Sequence, residues 1–166
     1  MGCGIPAGNG MMELDDFDRR LLDAVQEDSR RTGEALAALV GLSPAACLRR
    51  LQRLRAAGVI EREVAIVDPR FTDARLTLII NVMLQSDRRD LVDEFARALR
   101  RAPEVAQCYT VTGAVDLVLV VHLPDMAAYQ AFGQRYLHGD NVRRFETMVV
   151  MRRLKFDTAL PMAAAR

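Results

Sequence analysis

A chain of 166 residues, 51% hydrophobic and 27% charged, has the length of one or two ordinary domains and the composition to bury a real core. Trp is absent and aromatics reach only 5%, so Leu, Val, Ala and Met must build most of that core. The balance of 23 basic to 22 acidic residues nets +1, a total that argues against a nucleic-acid binder.

Met1–Gly10 is Gly-rich, without the basic and apolar regions of a signal peptide, and is expected to be a disordered leader, residues 1–13 in all. Met11 or Met12 is a plausible natural start. Leu14, Phe17, Leu21, Leu22 and Val25 then recur at helical spacing, and Asp15, Asp16 and Asp18 crowd the end where the helix dipole favours anions. Thr32 or Gly33 opens a short second helix carrying Leu36, Leu39 and Val40. Gly41-Leu42-Ser43 breaks it, with Ser43 suited to an N-cap and Pro44 to the first helical position. A third helix runs to about Ala57 and stops at Gly58. Val59-Ile60 and Val64–Val67 are expected as a small β-wing or tether before Asp68-Pro69.

The rhythm then changes. Leu76–Leu84 is apolar at almost every position and predicts a strand buried on both faces. Asp87 is expected to cap a helix with Leu91, Val92, Phe95 and Leu99 inward. Val105–Thr112 and Val115–Leu123 predict strands joined by a tight hairpin at Gly113-Ala114. Pro124-Asp125 starts a helix with Met126, Tyr129, Phe132 and Tyr136, and a last strand covers about Arg143–Leu154. The predicted class is α+β: an N-terminal winged helix-turn-helix domain (14–62), a linker or tether strand (63–73), a βαββαβ ferredoxin-like domain (74–157) and a tail (158–166). Val115, Leu117, Leu119, Val121 and Leu123 alternate with Val118, Val120 and His122, which leaves a second apolar sheet face for a partner copy. The short tail is the only other candidate to cover it.

Two helices joined by a tight Gly turn make the arrangement whose later helix enters the DNA major groove. On the third helix Cys47, Leu51 and Leu54 face inward. Ser43 and Ala45, Ala46, Arg49, Arg50 and Arg53 are assigned to the outward, DNA-binding face. Residues 44–58 contain four arginines and no acid. Small residues at the helix start allow deep insertion, and the arginine fork suits guanine or phosphate equally. A merely solvated basic face is the alternative.

Catalytic patterns are missing. There is no phosphate-binding GxxxxGK[ST] loop and no HExxH, and Gly2-Cys3-Gly4 follows no strand. Cys3, Cys47 and Cys108 form no CxxC pair, and His122 and His138 stand apart, one on an apolar strand and one at a helix end. No metal, no cofactor and no enzyme is expected, and a reducing cytoplasm fits. No apolar run approaches the ~18 residues of a membrane span.

Leu14–Arg20, Gly41-Leu42-Ser43-Pro44, Cys47, Arg50, Leu54 and Gly58-Val59-Ile60 resemble the DNA-binding half of the leucine-responsive regulatory protein (Lrp/AsnC) family. Val111-Thr112-Gly113 with Asp116, Pro124-Asp125-Met126, Tyr129 and Thr147–Met151 resemble that family's effector-binding half. The resemblance implies a cytoplasmic transcriptional regulator whose partners are double-stranded DNA, an amino acid effector and copies of itself. These copies would form dimers assembling to an octamer or other higher oligomer, with no membrane partner. It also implies an effector site between dimers at Val111, Thr112, Gly113, Ala114 and Asp116. The chemistry is suitable: backbone N–H groups at Thr112 and Gly113 for the carboxylate, and Asp116 for the ammonium. Plain hairpin chemistry is the alternative for each. Leu117 stands where an aromatic often follows the aspartate, and Asp140-Asn141 replaces a Pro-Gly turn, with Asn141 expected to tolerate a left-handed backbone. An amino-acid-binding oligomerisation module without specific DNA binding is the second reading.

Overall fold

The computed structural model describes residues 12–162, so the expected leader through Met11, including Cys3, lies outside them, as do residues 163–166. The helices are α1 (Asp16–Glu27), α2 (Gly33–Val40), α3 (Pro44–Ala56), α4 (Arg89–Arg101) and α5 (Met126–Phe132). The strands are β1 (Leu76–Leu84), β2 (Val105–Thr110), β3 (Leu117–Leu123) and β4 (Val142–Val149). These divide into two compact units, one running to Ala65 and taking in the chain again from Lys155, the other Ile66–Leu154. No helix among the described residues is long and apolar enough to cross a membrane.

In the first unit local chemistry fixes each helix boundary. Asp15 caps α1 through a reciprocal capping box with Asp18, Thr32 caps α2, and Ser43 caps α3 with Pro44 in its first turn. Gly41 stops α2 at φ 79°, in the left-handed region where a side chain is strained. The apolar faces close on a core of Leu21, Leu22, Leu36, Val40, Cys47, Leu51 and Leu54. Leu39 is not part of it: it is 58% exposed. Nor does the expected wing form, because residues 57–68 carry no strand and Val64, Ile66 and Val67 are exposed. The chain from Lys155 returns to this unit. Gln26 on α1 clasps the Leu160 backbone, accepting from its N–H at 2.7 Å and donating to its carbonyl at 3.0 Å, and Met162 packs on the core.

The second unit is an antiparallel sheet in the order β2-β3-β1-β4 with the element succession βαββαβ. Leu78, Ile80, Val82 and Leu84 of β1 and Leu117, Leu119, Val121 and Leu123 of β3 point to one face. There they pack with Leu99 of α4 and Phe132 of α5. The sheet is therefore not buried on both faces. Thr77, Ile79, Asn81 and Met83 look the other way and are only half-buried, because no element of this unit covers them. The described part of the tail, the other candidate cover, belongs to the first unit.

Several local expectations need correction. Asp87 does not cap α4; the N-cap is Arg88, without a side-chain cap, and the preceding turn is held by Ser86 Oγ accepting from the Arg88 N–H. β2 ends at Thr110 and β3 begins at Leu117, so a loop of residues 111–116 replaces the tight two-residue hairpin. β4 ends at Val149 rather than near Leu154. α5 continues into one π-helical turn, Gly133–Leu137. Asn141 does not use a left-handed backbone, since no described residue other than glycine has positive φ. Instead its side-chain Oδ1 accepts from Ser86 N–H at 3.0 Å and its carbonyl from Gln85 N–H at 2.8 Å. That pins the start of β4 to the end of β1.

Candidate DNA-binding and effector sites

With each residue advancing a helix by about 100°, Ala45, Arg49, Gln52 and Ala56 fall on one side of α3, opposite the buried Cys47, Leu51 and Leu54. Ser43, Ala45, Arg49, Gln52 and Arg53 are all exposed, and Ala46 is half-buried at the rim. Gln52 shares this exposed side and was not among the residues expected there. Its spacing of three from Arg49 was the available signal, and its amide suits an adenine edge.

The arginines do not share one environment. Arg50, rotated toward the core, donates through Nη1 to Asp15 Oδ2 at 2.7 Å and to Asp18 Oδ1 at 2.9 Å, and lies 5.5 Å from the Phe17 ring centroid. Arg53 donates through Nη2 to Asp18 Oδ2 at 2.6 Å while half of its side chain stays in solvent. Arg55 pairs with Glu63 at 2.7 Å. Among the described residues Arg49 makes no ion pair, so the basic stretch is largely neutralised by acids from elsewhere in the unit. The hydrogen bond from Asp18 N–H, with the Arg50 guanidinium beside it, holds the Asp15 carboxyl below its ordinary range. The same contacts with Asp15 and Asp18 raise Arg50.

In the second unit Val111, Thr112, Gly113, Ala114 and Asp116 lie together in one loop. Val111 N–H donates to the Asp116 carbonyl at 3.0 Å and closes it. Asp116 also ties the loop to β1: its N–H donates to the Val82 carbonyl at 2.9 Å, and its Oδ2 accepts from Leu84 N–H at 2.7 Å. Thr112, Gly113 and Ala114 are exposed at the tip, with Gly113 at φ 131° and open space where a side chain would be. The loop offers backbone donors on a braced carboxylate turn, chemistry suited to a small zwitterion.

The two histidines are structural in their contacts. His122 Nδ1 lies 3.0 Å from Thr77 Oγ1 across the β1–β3 pair, and the His138 ring stands edge-on to Phe145 at 5.5 Å. No group of three or more His, Cys, Asp or Glu among the described residues is placed to hold a metal ion.

Comparison with known proteins bears on both units. Residues 14–55 match the AsnC-type helix-turn-helix domain, and residues 77–160 match the Lrp/AsnC ligand binding domain. An uncharacterized HTH-type transcriptional regulator of Sinorhizobium fredii is 46% identical over 90% of this chain and 89% of its own. The leucine-responsive regulatory protein of Escherichia coli is 34% identical over 86% of this chain and 88% of its own. Among solved structures, a transcriptional regulator of Neisseria meningitidis in complex with L-Met superposes with a TM-score of 0.82 at 33% identity, covering 90% of this chain and 97% of that one. An AsnC family transcriptional regulator of Agrobacterium tumefaciens superposes equally well at 35% identity, covering 89% and 97%. Two family matches in the same order as the two folded units, with relatives aligned along nearly the whole length, place this chain in the Lrp/AsnC family of transcriptional regulators.

Proposed function

We propose that this regulator reads DNA with the face of α3 formed by Ser43, Ala45, Ala46, Arg49 and Arg53, joined by Gln52, and that Arg50 supports that face from behind. The observation that carries this reading is the pairing pattern. Arg50 is spent on α1, Arg53 is half free, and Arg49 stands exposed without a carboxylate partner among the described residues. A helix whose outer side is small at its start and basic further on fits the major groove.

The effector is an amino acid held at the 111–116 loop. The N–H groups at the tip take its carboxylate, and Asp116 takes its ammonium through the oxygen not bonded to Leu84. The L-Met complex of the Neisseria relative supports this ligand class. The tip residues are exposed within one chain, so a second dimer is needed to close the site. On this reading the chain is a cytoplasmic homo-oligomer, two copies joining through the open sheet face and the dimers assembling further around the effector.

The test is DNA binding and sedimentation of the full chain across the twenty amino acids. One of them is expected to shift assembly or DNA affinity, and Asp116→Ala is expected to abolish that response while dimers persist. An unchanged response in Asp116→Ala overturns the assignment of the loop. DNA binding that is salt-sensitive but equal on all duplexes would favour the second reading, an effector-binding oligomerisation module.

A further inference from the structure

Asp18 is the single charged side chain fully buried among the described residues, only 1% exposed. A carboxylate in that position is costly unless its lone pairs are filled. They are filled from α3: Oδ1 accepts from Arg50 and Oδ2 from Arg53, while the Asp15 N–H approaches Oδ2 at 3.3 Å as the second half of the capping box. One buried acid on α1 thus holds two arginines of the helix that carries the DNA face.

The two arginines are held differently. Arg50 gives the same nitrogen to Asp15 and Asp18 and is three-quarters covered. Arg53 gives one nitrogen to Asp18 and keeps half of its side chain in solvent, beside Arg49 and Gln52. A guanidinium is planar, so holding one nitrogen narrows the directions open to the remaining N–H edge and removes part of the entropy that DNA binding would otherwise have to remove.

We infer that Asp18 is a positioning residue for sequence readout: without touching DNA, it aims the free edge of Arg53 and withdraws Arg50 from the DNA face. The inference rests on the reading of α3 as the DNA-binding helix. It has an unusual sign. A carboxylate whose effect on DNA were only electrostatic would weaken binding to every sequence, and its removal would strengthen binding to all of them. A positioning carboxylate does the opposite for the specific site alone.

The experiment uses the full chain, a duplex enriched by the wild-type protein from random DNA, and an unrelated duplex of equal length, over a salt series. Asp18→Asn is expected to lower the ratio of specific to non-specific affinity by about tenfold, with the unrelated duplex bound as well as before or better. Arg53→Lys keeps a cation for Asp18 Oδ2 but loses the fork, and Arg50 still donates to Oδ1; the same fall in ratio is expected with a cooperative thermal transition retained. The double variant is expected to lose less than the sum of the two single losses, because both changes disrupt the Asp18–Arg53 contact. An unchanged ratio in Arg53→Lys overturns the inference, even where Asp18→Asn fails to fold. So does an additive double variant, or an equal gain on both duplexes. If the wild-type chain enriches no duplex, the DNA-reading assignment of α3 itself falls and takes the inference with it.

Discussion

Arg49 leaves α3 on the same side as Ala45 and Gln52, and no carboxylate of the described residues reaches it. Its guanidinium keeps both hydrogen-bonding edges for a base or a phosphate. Arg49→Ala is expected to cost about 1–3 kcal/mol at one base pair of the site, measured by competition against single-base variants of the selected duplex. A loss spread evenly over all variants, with a shallower salt dependence, would make Arg49 a phosphate contact instead. At this scale the sequence was only half legible. Helical spacing identifies an arginine-bearing face without acids of its own. It does not reveal that Asp15, Asp18 and Glu63 come to three of the four arginines. Asp15 and Asp18 read as ordinary helix-start acids, and only the fold turns one of them into a buried bridge.

The turn between α2 and α3 sets how the two helices cross, and Gly41 makes it possible. At φ 79° with open space around its Cα, a side chain there meets no clash, only backbone strain. Gly41→Ala is expected to destabilise the first unit by about 1–2 kcal/mol. The check is a fall of several degrees in its thermal transition, with α-helical content retained below it. The elements themselves were largely written in the sequence, because caps and periodicity are local. Asp15, Thr32, Ser43 and Asp125 cap the helices they precede. The misses have a common physical cause. Asp87 is a good cap by type, but Ser86 bonds to Arg88 and Asn141, and the N-cap falls one residue later, at Arg88. The 111–116 loop is wider than its Gly suggests because Asp116 reaches across to Leu84. Val64–Val67 has strand-like residues but no partner strand among the described residues.

For the whole molecule the decisive feature is a sheet with one closed face and one open face. Ile79, Met83, Val118 and Val120 occupy the open side together with the exposed Tyr109 and Met148. An apolar surface of this kind is stabilised by a second copy. Val120→Glu is expected to shift the protein toward monomers in sedimentation velocity, with its circular dichroism and melting of the isolated chain little changed. An oligomer that persists in that variant would place the interface elsewhere. Assembly also bears on DNA affinity: residues 1–66 hold nine arginines against ten acids, and ion pairs occupy most of the arginines on α3. One copy therefore offers little field for DNA, and engagement of several half-sites together is expected to raise the affinity.

The sequence by itself determined the order of the helices and sheet strands, most of the helix caps and the family, since these depend on spacing and residue type along a short stretch of chain. The tertiary structure alone decided which arginines remain free, because the carboxylate partners of Arg50 and Arg53 lie 32 to 35 residues away, at the start of another helix. It also decided that the second unit's own elements leave one sheet face uncovered. The only segment the sequence offered as a cover is drawn to α1, where Gln26 satisfies the Leu160 backbone, over as much of it as is described. Local pattern fixes what each segment becomes; the competition among distant segments for the same partners fixes what each is left to do.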